Sequence, residues 1–193
     1  MSVTIDDFTA ATQNLSMTDG VQESFKKVPP GSPLIGDSRL ITLRVAKPGV
    51  PAFAKAATLD IGDGHLVVQS GIQAHPRIEV FYGRSSNSET PLHHNLSGCK
   101  KFRLHFLASD SGLNINMQVR AENNPGIDAQ SGVNIDGHPD GVPFVVDFAF
   151  STFVPNAGPL PDFADINEIT LIIQSGSVIG ANDYALTRIE ALP

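Results

Sequence analysis

The sequence predicts an all-β fold: one antiparallel β-sandwich of jelly-roll type, spanning residues 1–193, with about ten strands and little helix. Three observations carry this. Between Lys100 and Ala121 two segments, KFRLHFLA and LNINMQVRA, alternate apolar and polar residues strictly. Successive side chains on a strand point to opposite faces, so each segment has one core face and one outer face. Short alternating segments recur along the chain with Gly, Pro, Asn and Asp between them. No long segment repeats its apolar residues at the 3.6-residue period of a helix, although Asp6–Gln13 could hold a helical turn.

In chain order, Ser2–Phe8 reads as a short first strand and the polar Thr9–Gly20 as a loop. Val21–Val28 reads as a strand closed by the Pro29-Pro30-Gly31 turn, and Arg39–Val45 (RLITLRV) as a well-alternating strand. Lys47–Phe53, with two prolines, reads as loop. Ala57–Ile61 and Gly64–Ser70 flank Asp63-Gly64, a strong hairpin signal because both residues tolerate positive φ. Arg77–Gly83 is a strand, and Arg84–Gly98 a long polar loop with His93 and His94. The Lys100–Ala121 pair follows, turning at Ser109-Asp110-Ser111-Gly112. Asn123–Gly141 reads as a second long loop, Pro143–Phe153 as an alternating strand and Pro155–Asp165 as loop. Ile166–Gln174 and Tyr184–Leu192 are the last strands.

Composition narrows the function. The 193 residues are 41% hydrophobic, enough for one sizeable core. The formal charge of −7 argues against general nucleic-acid binding, which needs an excess of Lys and Arg to neutralise phosphates. No apolar run is long enough to span a membrane. Cys99 is the only cysteine, which excludes an internal disulfide and a Cys-based zinc site. The opening MSVTIDDF has neither the basic nor the apolar region of a secretory signal. The expected location is therefore extracellular or on the cell surface if a signal has been removed, and cytoplasmic otherwise.

Four groups of residues could carry chemistry. If Lys100–Ala121 is a hairpin, His105 faces Asn116, Arg103 faces Gln118 and Lys101 faces Arg120 on its polar face. Arg103, His105, Asn116, Gln118 and Arg120 are then a candidate binding surface for hydroxyls and carboxylates. The alternative is a solvated sheet face. Lys101 opposite Arg120 is unfavourable and calls for an acidic neighbour, Asp147 or Glu79, or an anionic ligand. The second group, Asn134-Ile-Asp136-Gly-His138-Pro-Asp140, places oxygen ligands at alternate positions, as a calcium loop does, and the twelfth position counted from Asp136 is Asp147. An Asx-turn loop is the competing interpretation. The third group is at the chain ends, with Asp6 and Asp7 at the start and Asp183 before the last strand. The fourth is the histidines, which lack the spacing of a zinc enzyme.

With IDDF at 5–8 and NDYALTRI at 182–189, the chain resembles galactose-binding-like jelly rolls, the architecture of many carbohydrate-binding modules. It also resembles β-sandwich domains of bacterial exported surface proteins. The resemblance implies a structural calcium shared by an acidic residue near the first strand, here Asp7, and an Asp near the last, here Asp183. The function expected first is a non-catalytic module that binds a glycan or another polar surface polymer. The absence of Trp excludes a flat indole platform. The alternatives are a self-assembling subunit of a surface layer, filament or capsid-like particle, and a jelly-roll enzyme such as a polysaccharide lyase using Arg103, His105, Gln118 and a Tyr.

Overall fold

The computed structural model describes residues 1–45, 56–72, 74–85, 88–124, 126, 128–175 and 181–193. The expected Lys47–Phe53 loop lies outside them. Among the described residues the chain forms fourteen strands in two antiparallel sheets of seven. The first sheet runs β11(Phe144–Ala149)-β8(Lys101–Ser109)-β14(Tyr184–Leu192)-β6(His65–Ser70)-β5(Ala57–Gly62)-β2(Gln13–Met17), with β1(Val3–Asp6) also paired to β14. The second runs β12(Val154–Pro155)-β10(Ala129–Ile135)-β9(Leu113–Ala121)-β13(Ile166–Ser175)-β7(Arg77–Tyr82)-β4(Ser38–Val45)-β3(Gly20–Lys27). The inward residues of both sheets form one apolar core, with Phe102, Leu104 and Phe106 from β8 and Ile115, Met117 and Val119 from β9 all buried.

The β-sandwich is as expected, but the central hairpin is not. β8 and β9 are consecutive strands that belong to different sheets. β8 pairs with β11 and β14, and β9 with β10 and β13. Ser109–Gly112 is thus an arch across the sandwich. Alternation cannot separate the two arrangements, because either way the apolar residues of both segments face the core. Other parts of the chain hold the arch. The Asp110 amide donates to the Asp183 carbonyl (2.9 Å) and the His138 amide to the Ser109 carbonyl (2.6 Å). Gly137 passes so close that a Cβ there would lie 2.7 Å from the Ser111 Cα.

Two segments expected to be loops contain strands. β2 lies within Thr9–Gly20 and β10 within Asn123–Gly141. β2 is a short edge strand with one strongly apolar inward residue, Leu15, and β10 has Gly132 at its centre, so both carry weak alternation signals. The Asp63-Gly64 hairpin forms as expected, with φ of 52° and 81°.

The core also contains charge. Arg39 and Asp6 are fully buried and joined by a 2.6 Å ion pair. The Arg39 Nε donates to the Gln13 side-chain carbonyl (2.8 Å), and its Nη2 donates to the Ala10 and Ala11 carbonyls (3.0 and 2.7 Å). Asp6 also accepts from the Tyr82 hydroxyl (3.0 Å) and the Phe8 amide (2.8 Å). This network links β1 and β2 of one sheet to β4 and β7 of the other. Removing one partner from a buried pair costs about 3–5 kcal/mol, roughly 6–20 °C in Tm for a chain of this size. Arg39→Met should show that loss, and adding Asp6→Asn should recover part of it. Thermal melts of the four proteins in the cycle check this, and additive effects of the two substitutions would contradict it.

Candidate functional site

Because β8 and β9 part company, the five candidate ligand residues divide between opposite outer faces. Arg103 and His105 lie outside the first sheet, and Asn116, Gln118 and Arg120 outside the second.

The outer face of the first sheet neutralises itself at β8. Asp147 stands opposite Arg103 across β11 and β8. It accepts from Arg103 Nε (2.7 Å) and Nη2 (2.9 Å) and from Lys101 Nζ (2.7 Å). The Lys101–Arg120 clash does not arise, since those residues are in different sheets, and the acidic neighbour of Lys101 is indeed Asp147. His105 Nε2 lies 2.7 Å from Glu190 Oε1.

The outer face of the second sheet is built differently. Strand register sets three rows across it. One runs Gln130, Gln118, Thr170, Phe81, Leu40, Phe25 from β10 to β3. The next runs Gly132, Asn116, Ile172, Glu79, Thr42, Glu23, and the third Asn134, Asn114, Gln174, Arg77, Arg44, Val21. Thr170, Ile172, Leu40 and Thr42 form a floor, each no more than 9% exposed although it points outward. Longer side chains rise around them. Hollows open along this face, one lined by Glu23, Leu40, Thr42, Arg44, Glu79, Phe81 and Arg84, and another by Arg44, His75, Arg77 and Gln174.

The polar groups of this face fall into three kinds. Amides form a stripe on β9 and β10: Asn114 donates to Asn134 (2.7 Å), and Gln118 lies 3.5 Å from Gln130. The Asn116 Oδ1 is buried without a protein partner. Charged clusters come next. Arg120 meets Glu89 (2.5 Å), Asp128 (3.1 Å) and Glu168 (3.4 Å), which more than offset its burial and hold its pKa above the usual value. Burial pushes the Glu168 carboxyl up against the pull of Arg120 and Arg84. Arg77 is paired with Glu79 (2.6 Å). The third kind is unengaged: among the described residues, Arg44 and Glu23 make no side-chain hydrogen bond or ion pair. Two aromatic rings belong to the same face. Phe25 is 38% exposed, and Phe81 carries the Arg84 guanidinium 5.2 Å from its ring centre.

The carboxylates considered for calcium are dispersed. Asp7 makes a local turn with Thr9, beside Gly64 at the start of β6. Asp183 accepts from the Ser70 amide (2.9 Å) at the far end of that strand. The two ends of β6 are roughly 17 Å apart at 3.3 Å per residue. Asp140 caps the Val142 amide (3.2 Å), Asn134 is taken up in the amide stripe, and His138 stacks on Phe144 at 4.0 Å. Asp136 shares no acidic cluster with them: among the described residues, no three His, Cys, Asp or Glu side chains converge as metal ligands. His93 Nδ1 sits 3.3 Å from Asp165 Oδ1.

No family model matches the sequence, and no curated protein matches it. Solved structures do. The chain is similar to a family 11 carbohydrate-binding module from Clostridium thermocellum, solved with a β-1,3-1,4-mixed-linked tetrasaccharide (11% identity, TM-score 0.45, covering 99% of this chain and 95% of that one). It is also similar to a family 28 module specific for non-crystalline cellulose (12% identity, TM-score 0.44, covering 78% and 80%). A third is an agarase, AgWH50C (10% identity, TM-score 0.43, covering 91% of this chain and 25% of that one). Among the described residues no helix is long and apolar enough to cross a membrane.

Sequence reasoning missed Phe25, Phe81, Arg44 and Glu23. Phe81 shares the polar parity of Arg77 and Glu79, and Arg44 that of Thr42, whereas Val21–Val28 has no clear polar parity to mark Glu23 and Phe25. A Phe on a polar parity is the mark that could have found the face.

The Arg103 hydrogen bonds, and after them Lys101, bring the Asp147 carboxyl down to about 2. A depressed carboxylate contributes stability that is present above its unfolded value of about 3.9. That stability is lost as the pH falls through about 2. Asp147 is 36% exposed, so screening limits the contribution to about 1 kcal/mol or less. Asp147→Asn should lower Tm by about 1–3 °C at pH 7, with the difference closing towards pH 2. Melts across that range check this.

Proposed function

We propose that the protein is a non-catalytic module that binds a glycan chain along the outer face of the second sheet. The observation that carries this is the row Phe81–Leu40–Phe25, an apolar strip about 10 Å long at the strand spacing, set directly beside Glu23, Arg44 and the amide stripe. A sugar ring has apolar C–H faces and an equatorial rim of hydroxyls. It needs an aromatic ring beneath it and mixed donors and acceptors at its edge. The second sheet offers both together. The outer face of the first sheet presents no Phe or Tyr ring among its described residues, and at β8 its charged groups already satisfy one another. The expected binding residues are therefore Phe25, Phe81, Glu23, Arg44, Asn116 and Gln118, with Arg120 holding the end of the face in shape. Arg103 and His105 fall outside the site. A polymer binder of this kind works outside the cell or on its surface.

The aromatic contribution is measurable. Phe25→Ala and Phe81→Ala should each weaken binding by about 0.5–1.5 kcal/mol, a factor of roughly 2–10 in Kd. Arg103→Ala should leave it unchanged. Affinity electrophoresis through gels containing soluble glucans, galactans, mannans and uronate polymers, followed by calorimetry on the best of them, checks this. Retardation lost in Arg103→Ala but kept in both Phe variants would move the site to the other face. No retardation by any polymer would end the reading.

A further inference from the structure

The third row of the face contains a pairing that a solvated sheet normally avoids. Arg44 on β4 stands directly opposite Arg77 on β7. Like charges opposite each other in neighbouring strands repel. The carboxylate bonded to this pair is Glu79, and Arg77 takes it, through both Nε (2.7 Å) and Nη2 (2.6 Å). Arg44 is exposed and left over. The hollow between them is lined by Arg44, His75, Arg77 and Gln174, with no carboxylate among the described residues of its wall. A local positive site thus stands on a chain whose formal charge is −7. Gln174 and Asn114, adjacent in the same row, add neutral amides suited to hydroxyls.

We propose that this hollow is a subsite for an acidic sugar, whose carboxylate or sulfate ester bridges Arg44 and the outer edge of Arg77. The proposal rests on the second sheet being the glycan face. The planar guanidinium forks match the geometry of either anion, and charge-assisted hydrogen bonds of this kind are about twice as strong as neutral ones. Neutral residues of the same chain would then continue over Leu40 towards Phe25. An acidic polymer is repelled by the protein as a whole and held at this point, so its binding depends on these two side chains rather than on diffuse charge.

The test compares polygalacturonate with its carboxyl-reduced form, and dextran sulfate with dextran, using wild type, Arg44→Gln, Phe25→Ala and a control, Lys26→Gln, which removes a cation of the edge strand outside the hollow. The readouts are calorimetric Kd and its salt dependence. In one of the two pairs the acidic member should bind on the order of tenfold more tightly than its neutral counterpart. Arg44→Gln should abolish that preference and flatten the salt dependence, while Lys26→Gln keeps both. The pair that shows the preference identifies the anion as carboxylate or sulfate. Equal binding of acidic and neutral polymers, with loss in Phe25→Ala, would overturn the acidic subsite and keep the glycan face. A preference that Lys26→Gln removes as fully as Arg44→Gln would also overturn it, as diffuse attraction. Binding to none of the four polymers or the wider panel would overturn both. Arg44 is exposed, so an unchanged Tm is expected for its variant and separates lost binding from lost fold.

Discussion

The arch at Ser109–Gly112 decides which side chains can act together. It carries the chain from the first sheet to the second within a few residues, so the outward side chains of β8 lie on one side of the molecule and those of β9 on the other. Its backbone groups cannot be paired as those of a hairpin are, and buried amides and carbonyls need partners. Asp183 and His138 supply them, from loops far away in sequence. The fully buried Asn182 reaches the Gly112 carbonyl from the same direction. Closing the arch therefore fixes the approach to β14 and the loop after β10, and through them the positions of both neighbours of β8 and β9.

The Asp6–Arg39 network does a related job inside the sandwich. The rows that make up the outer face of the second sheet depend on β4 and β7 holding their register. Both strands place a polar group in the core, Arg39 and Tyr82, where the first sheet supplies Asp6 and Gln13. A one-residue slip of β4 would carry Arg39 out of the core and leave Asp6 buried with no counter-charge, a far larger penalty than misplacing one apolar side chain. The network thus adds a charge penalty to the register that Ile41, Leu43 and Val45 already specify. Burial drives the Tyr82 hydroxyl well above its usual pKa, so it stays a donor to Asp6 at all ordinary pH.

Alternation made most strands legible, since β4 to β9, β11, β13 and β14 each carry enough apolar residues on one parity to declare themselves. It could not show which strands pair. Pairing is decided by the loops that satisfy the arch, and these are irregular and distant in sequence. The same limit governed the site. Asn116, Gln118 and Arg120 were recognisable as outward polar residues, but joining them to Arg103 and His105 required the hairpin. Their real neighbours, on β13, β7, β4 and β3, come from segments up to about a hundred residues away. Asp6 and Asp7 show the limit at its sharpest. Asp6 is the last residue of β1 and its side chain is in the core, while Asp7, just past the strand, sits in a turn with Thr9.

The two outer faces treat the charge of β8 and of β4 differently, although Arg188, opposite His105 on the first face, is exposed and, among the described residues, also makes no side-chain hydrogen bond or ion pair. On the first, Asp147 lies between Lys101 and Arg103 and Glu190 beside His105, so each cation at β8 has its anion at hydrogen-bond distance. A ligand there would have to break contacts already made. On the second, Arg120 is satisfied by its carboxylates, but Arg44 and Glu23 stand open beside a buried floor and two outward rings, Phe25 and Phe81. Phe25 leaves more than a third of its surface in water, and the Arg44–Arg77 pairing is repulsive. What folding leaves unsatisfied among the described residues of this sheet, an exposed ring edge and an unpaired guanidinium and carboxylate beside a buried floor, is what the proposed glycan site rests on.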